Sequence, residues 1–411
     1  MGDSNRKNTV GVGTSDNQIS REAAKEATRK AIEGGELAQP DLVLFYTSEQ
    51  HDPRQLQAGI REIAGPDARI MGGYSMGVIT NDYLGYDGFQ VGAAVFQFND
   101  VDIDLFIEKE LANREQEVGR ALGQQINARA YRTTPNIFFM YDSVIRSAAE
   151  GLSLNMATPL LEGMGETFES WPPIAGVGMS GGMQWNPTYQ WLDDEIYQNT
   201  ALALALSGDV EMHTTILHGC KPAGSYKTIT KAKSNVIYEI DNSPALDVID
   251  EMMGLDADWD EYPLFLTLGL NKGDKFGEFK QDEYANRLCM AISRDDKSLV
   301  MFEPDLKEGS EVRLMRRSID FEYIRPSVED FLLGLDGKRP FFALYIDCLA
   351  RASAYCGSES EEAEQVQKAL GNIPLLGMYS GVEIAKVGQD IQPLDWTGVL
   401  CVFTDNNQLA V

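Results

Sequence analysis

A mixed α/β fold follows from the sequence: repeated strand-helix-strand-strand units that form mixed sheets with helices packed on them, in two modules. Three observations predict it. An apolar strand, a helix-like stretch, a strand ending in a glycine turn and a further strand occur in that order three times along the 411 residues. The glycine turns fall at matching places in each copy, which puts them at corresponding strand ends in layered α/β architecture. Between residues 262 and 325 the text changes to alternating runs, such as 263–268, 288–293 and 298–302, which suit antiparallel strands.

The first copy opens with a short strand, Val10-Gly11-Val12-Gly13-Thr14-Ser15, before an alanine-rich helix at 20–33. Residues 42–48, LVLFYTS, form a buried strand by their unbroken apolar run, and a helical stretch follows at 53–63. Ile70-Met71-Gly72-Gly73-Tyr74-Ser75 is the strand that ends in a glycine turn; after a polar loop, 88–98 supplies the last strand. The second copy runs from 137–143, IFFMYDS, through 150–168 to the turn Gly178-Met179-Ser180-Gly181-Gly182 and the strand 200–207. The third runs from 341–347 through a helix at 359–370 to Gly377-Met378-Tyr379-Ser380-Gly381 and the strand 398–404. In that helix Ser358 and Glu361 have capping-box spacing, Ala363, Val366 and Leu370 share a face, and Gly371 stops it. A further helix at 244–253 has Ser243 as cap, Pro244 at its first position and Gly254 beyond its end. The composition shifts near Ser207-Gly208-Asp209, so one module is assigned to 1–208 and the other to 209–411.

Composition narrows the function. Sixty-three acids against 35 bases give a formal charge of −28, which repels phosphate backbones and anionic lipid, so nucleic acid and membrane are not expected partners. No apolar run reaches the length of a membrane span, and Met1-Gly2-Asp3-Ser4-Asn5-Arg6 offers neither a secretory signal nor a myristoylation site; the expected location is cytoplasmic. Five scattered cysteines without a C-x-x-C pair fit reduced thiols, and no metal cluster is expected.

These stretches resemble the FIST sensory family. In the N-terminal part the likeness rests on "VGVGTSDNQISREAAKEATRKAI" (10–32), "PDLVLFYTS" (40–48) and "RIMGGYSMG" (69–77). In the C-terminal part it rests on "GCKPAGSYKTITKAKSNVIYEIDNSPALDVIDEMMG" (219–254), "IDCLAR" (346–351) and "PLLGMYSGVEI" (374–384). The resemblance implies an intracellular sensor, not an enzyme, which binds a small amino-acid-like metabolite and needs no cofactor. It would signal to a partner such as a histidine kinase, a diguanylate cyclase or phosphodiesterase, or a chemoreceptor. One branch of the family binds haem and senses nitric oxide. This sequence departs from the family's Gly-Glu pattern, with Val78 after the first turn and Val382 between Gly381 and Glu383.

The candidate site follows from the turns. Gly72, Gly73, Tyr74 and Ser75, with Ser180, Tyr379 and Ser380 at matching points, form either structural turns or a ligand-facing surface where backbone amides, hydroxyls and aromatic faces meet a zwitterion. Glu383 would meet the ammonium, or else be a solvated surface acid. Cys348 and Arg351 match the family's Cys-x-x-Arg; a guanidinium there would lower the thiol's pKa or clamp a carboxylate, or both side chains are structural. Gly73-Tyr74-Ser75-Met76-Gly77 also fits the G-x-S-x-G elbow of a serine acyl hydrolase, which requires a helix directly after Ser75; the polar text there argues against one, and no catalytic residue is assigned. For haem, one axial imidazole suffices, and His213 or His218 is the candidate; His51 reads as a solvated loop residue. Trp171, Trp185 and Trp191 gather around the second turn, either walling a pocket or filling a core.

Overall fold

The computed structural model describes residues 7–86, 88–182, 184–254, 259–318 and 321–406; residues 1–6, on which the reading of the amino terminus rests, lie outside them. Its frame is one arrangement laid down three times. In the first unit Thr9–Ser15, Leu42–Thr47, Arg69–Tyr74 and Val91–Gln97 are strands, with helices Ser20–Gly34 and Pro53–Ala64 between them. The strands lie in the order first, last, second, third, and only the second and third run parallel. Val101–Lys109, Asn136–Asp142, Ile174–Met179 and Thr200–Gly208 repeat that order in the second unit, with helices Glu115–Ala128 and Ala157–Gly165. Glu211–Leu217, Pro340–Cys348, Leu375–Ser380 and Gly398–Thr404 repeat it in the third, with helices Ile324–Leu333 and Glu362–Leu370.

Strands buried on both faces must be apolar at nearly every position, which is why inner runs such as Leu42–Thr47 and Gly398–Thr404 lack alternation, whereas the edge strand Val101–Lys109 keeps polar residues. Inward, Leu44, Phe138, Leu204, Leu344 and Phe403 join one central core shared by all three sheets. Outward, each sheet is covered by its own pair of helices, as Ala24, Ala27 and Leu56 show in the first unit. Equivalent covers form over the second and third sheets.

The loop read as polar after the first glycine turn is instead a strand hairpin, Gly77–Thr80 and Leu84–Gly85. It leaves its own unit and pairs with Leu375–Ser380 of the third. The second unit's hairpin, Gln190–Leu192 and Glu195–Tyr197, pairs with Arg69–Tyr74 of the first. Val382–Val387 and Asp390–Leu394 of the third unit pair with Ile174–Met179 of the second. The exchange is cyclic, so every unit completes another's sheet. A four-residue strand whose longer pairing is with a distant segment carries little local pattern to reveal it, and tertiary pairing overrides the turn-rich text.

Between Glu211–Leu217 and helix Ile324–Leu333 an antiparallel barrel is inserted. Its strands are Lys221–Lys233, Glu311–Arg316, Thr267–Asn271, Tyr284–Ser293, Ser298–Met301 and Val236–Ile240, the last pairing back onto the first. Register breaks in Lys221–Lys233 and Tyr284–Ser293 supply the bends that closure needs. Ile229, Ile237, Leu268, Leu299 and Val312 fill it, with helix Ala245–Met253 packed on them. The expected run 263–268 enters its strand only at Thr267, because Leu264 takes a left-handed backbone, φ 63°. The 208/209 division falls between the end of Thr200–Gly208 and the start of Glu211–Leu217.

Two expected caps take other forms. Glu361 is the residue before helix Glu362–Leu370 and makes no capping bond. Its carboxylate instead accepts from Ser353, Tyr86 and Tyr379, while Ser358 accepts from the Ser360 N–H. Pro244, not Ser243, stands at the cap position of helix Ala245–Met253, and Ser243 pairs with Ile240.

Candidate functional site

The glycine bends come together through a ring of backbone bonds at one end of the three sheets. The Met76 N–H donates to Tyr379 O at 3.2 Å, the Gly381 N–H to Gly178 O at 3.2 Å, and the Tyr74 N–H to Tyr189 O at 2.9 Å. Each bond joins a bend of one unit to the strand end of another, because each bend is where a hairpin crosses between sheets.

Two of the bends are closed. Ser75 is buried and its hydroxyl donates to Gly77 O at 2.8 Å; Ser180, also buried, donates to Gly182 O at 3.3 Å. The strand Gly77–Thr80, not a helix, follows Ser75, so the geometry of a nucleophile elbow is absent. Gly72 serves close packing, since a Cβ there would lie 2.4 Å from Phe45 O. Gly73 pairs with Gln190 in the sheet. Tyr74 packs edge-on against Tyr189 and Trp191, and its hydroxyl donates to His51 O.

The third bend opens onto a cleft of about 790 Å³ between the third unit and the barrel. Cys348, Leu349, Ala350, Ser380 and Gly381 form its floor, where the parallel strands Pro340–Cys348 and Leu375–Ser380 end. Such carboxyl ends are where open α/β sheets leave crevices. Trp185 of the second unit reaches across and stacks on Phe302 of the barrel, ring centroids 6.4 Å apart. Gly381 permits this, because a Cβ there would be 3.0 Å from the Trp185 ring. Leu288, Phe265, Met252 and Met315 of the barrel and Trp396 continue the apolar wall.

Four charged side chains stand in that wall: Glu261, Arg316, Arg317 and Asp395. Arg317 lies flat on Trp396, its Cζ 3.7 Å from the ring centroid, with Phe265 at 5.2 Å. Its Nε donates to Thr267 Oγ1 at 2.9 Å and its Nη2 to Leu264 O at 2.7 Å. Burial pulls the Arg317 guanidinium down to about 10. Asp395 lines the same wall, its Oδ2 accepting from the Leu288 N–H at 2.8 Å, and burial raises its carboxyl to about 6.

The remaining expected site residues sit beneath the cleft or away from it. Arg351 is wholly buried: it pairs with Glu362, lies 3.5 Å from Asp347, and donates to His218 O, Trp396 O and the Tyr323 hydroxyl. It holds protein, not ligand. The Cys348 thiol is pushed well up by burial and by Glu383 beside it, against the lowering expected from a neighbouring guanidinium. Glu383 is buried rather than solvated; Ser380 Oγ donates to its Oε1 at 2.7 Å, its Oε2 has no partner, and burial raises it strongly. Tyr379 is buried with its hydroxyl on Glu361 at 3.1 Å and its ring edge-on to Tyr86.

The histidines do not fit an axial haem role at this cleft, which none of them lines. Both nitrogens of buried His218 are engaged, Nε2 with Gln281 O and Nδ1 accepting the Cys220 N–H, and burial lowers it to about 4. His213 bonds Thr404 Oγ1 at 3.1 Å. His51, read as solvated, is buried between Ser20 Oγ and Phe89 O. Of the three tryptophans expected around the second turn, Trp191 fills the first unit's outer core, Trp171 packs on Phe168, and Trp185 lines the cleft. Among the described residues no group of His, Cys, Asp and Glu is placed to hold a metal ion. The five cysteines are free thiols.

The groups that sequence reasoning missed are Arg317, Phe265, Phe302 and Trp396, three of them from the barrel region. The only sequence signal for Arg317 is Arg316-Arg317 closing an alternating strand.

Comparison with known proteins follows the same two halves. The FIST N domain model matches residues 41–243 and the FIST C domain model residues 245–386. The two matches abut inside the barrel, ahead of helix Ala245–Met253. An uncharacterised protein of Methanocaldococcus jannaschii is 21% identical over 80% of this chain and 64% of its own length. One of Mycobacterium tuberculosis is 23% identical over 56% of this chain and 61% of its own. The chain thus spans under two thirds of the length of these relatives. Cyanuric acid hydrolase from A. caulinodans aligns over 97% of this chain and all of its own at 10% identity, with a TM-score of 0.34, too low to carry an argument.

Proposed function

The chain belongs to the FIST family, whose domains are sensory domains of signal-transduction proteins, and we propose that it senses a small metabolite in the cleft between barrel and third unit. The cleft carries the reading. Its volume of about 790 Å³ and its aromatic, thioether and aliphatic walls with few convergent polar groups are the properties of small-molecule sites. An amino-acid-like compound is the starting class, since Arg317 and Asp395 offer both charge signs.

Occupancy would act on position. Polar and apolar contacts join the barrel to the rest of the molecule. Arg287 donates to Pro393 O at 2.8 Å, and the Glu303 carboxylate accepts the N–H groups of Ala157 and Thr158, at 3.0 and 2.8 Å, where a helix of the second unit begins. A ligand touching both barrel and third unit binds one placement of the barrel better than another and shifts the population accordingly. A separate histidine kinase, cyclic-di-GMP enzyme or chemoreceptor would read that shift.

A thermal-shift screen against amino acids and small organic acids tests the reading, because a ligand bound only by the folded state raises Tm. Hits should vanish in Ala350→Trp, which fills the cleft from its floor. Hits that survive that substitution would place binding elsewhere and end this reading of the cleft.

A further inference from the structure

Arg317 is an unusual way to use an arginine. The guanidinium is pressed between Trp396 and Phe265 on an apolar wall, and two of its nitrogens bond neutral oxygens of the barrel. Among the described residues no carboxylate lies within ion-pair distance of it, Asp395 acting only at longer range, and its hydrogen bonds leave from Nε and Nη2, not Nη1. The fully buried arginines differ. Arg287 is paired with Asp305 at 2.5 Å, and Arg351 with Glu362 and Asp347. A partly buried cation left without its counter-ion normally acquires one. Trp396 adds a second open donor, since its indole Nε1 is buried without a partner and its ring lines the cleft.

Resting on the sensory reading of this cleft, we infer that its ligand is an apolar carboxylic acid, with the carboxylate on Arg317 Nη1 and Nη2 and the hydrocarbon or aromatic body among Trp185, Phe302, Leu288 and Met315. The planar fork matches a carboxylate in a way an ammonium or hydroxyl does not. Stacking on Trp396 fixes the fork in advance, so little rotamer entropy is lost on binding. Burial lowers Arg317 to about 10, which leaves it charged at neutral pH, and an arriving anion offsets the desolvation that lowers it. Asp395 sets the limit of the site: charged, it repels a second carboxylate, so a monoacid is favoured over a diacid.

The test is calorimetric titration of the full chain with phenylacetate, 2-phenylethanol and phenethylamine, which share a ring and differ in head group. Phenylacetate should bind at least about tenfold more tightly than the alcohol, and also more tightly than the amine, which leaves Arg317 without an anion. Arg317→Gln should weaken phenylacetate by about tenfold or more while leaving the alcohol unchanged. Arg317→Lys, which keeps the charge and loses the fork, should fall between. Unchanged alcohol binding reports an intact cleft; if Arg317→Gln fails to fold, the head-group series on the unaltered protein and Arg317→Lys decide the matter. Equal or stronger binding of the alcohol or amine overturns the inference, as does a phenylacetate affinity indifferent to Arg317. Should the alcohol or amine bind as tightly as phenylacetate and Ala350→Trp abolish it, the sensory cleft stands and only the acid class falls. If none of the three binds, the inference falls, and the cleft is judged by the wider metabolite screen.

Discussion

In the second unit the strand Asn136–Asp142 ends at a carboxylate that accepts three backbone N–H groups, from Val144, Thr188 and Asn199. In the third unit the matching position, one residue before the end of Pro340–Cys348, is Asp347, whose neighbours are Arg351 and, through it, Glu362 and Tyr323. The bends that follow differ in the same way. Ser180 bonds within its own turn and is sealed by the chain running to Trp191, whereas Ser380 and Gly381 face the cleft. Identical topology therefore yields a closed corner in one unit and a binding cleft in another. The cause is the barrel inserted into the third unit alone: it holds one bend open and supplies the cleft's second wall. The difference teaches that the repeat provides the frame and its one asymmetry provides the site.

The comparison can be broken most severely at the ion network under the third bend. Arg351→Ala leaves buried Glu362 and Asp347 without their cation, and a loss of about 3–5 kcal/mol in urea unfolding is expected. A change below 1 kcal/mol would show that the network does not support the floor. In the closed corner, Asp142→Asn sets an amide N–H₂ against backbone donors and should cost about 1–3 kcal/mol without altering ligand affinity. An equal effect on affinity would mean that the second corner also takes part in binding.

A titration sharpens the contrast between the barrel's contacts. Burial raises Glu303 to about 7 from an ordinary value near 4.5, so the folded state holds its proton more tightly than the unfolded chain. The stability linked to that proton is fully present below about 4.5 and is lost as pH rises towards 7. His218, lowered to about 4, works in the opposite sense: its stability is present above 6.5 and is lost as pH falls towards 4. Glu303→Gln should flatten the decline in Tm between pH 5 and 7; an unaltered profile would remove Glu303 from the linkage. Asp395, raised to about 6, faces Arg287, Asp305 and Arg317. Phenylacetate affinity should therefore rise as pH falls through about 6, where the carboxyl loses its charge. Smallest of all, Ser75→Ala and Ser180→Ala each remove one local bond, should cost about 1 kcal/mol, and should leave ligand affinity untouched.

Much of the frame was legible because its signals are local. Helix Pro53–Ala64 and strand Leu42–Thr47 fall within a residue of the expected stretches, since periodicity and unbroken apolar runs report the faces each segment buries. The hairpin Gly77–Thr80 was not legible, because its partner strand lies about 300 positions away and its own text is turn-rich. The candidate site was read through its bends, and the structure brings those bends together. Yet of the expected residues Cys348, Ser380 and Trp185 line the cleft, while Tyr379, Arg351 and Glu383 lie buried beside it.

By itself the sequence determined the threefold recurrence, the elements within each copy, the likeness to FIST and the apolar character of every central strand. These follow from short-range pattern, where each residue's burial is set by its place in a helix or strand. Only the tertiary structure decided which sheet each hairpin completes, that the run between Lys221 and Arg316 closes into a barrel, and that Arg317 meets Trp396 across a cleft. Those outcomes depend on surfaces distant in the chain fitting together, and the energy of such contacts belongs to no local stretch.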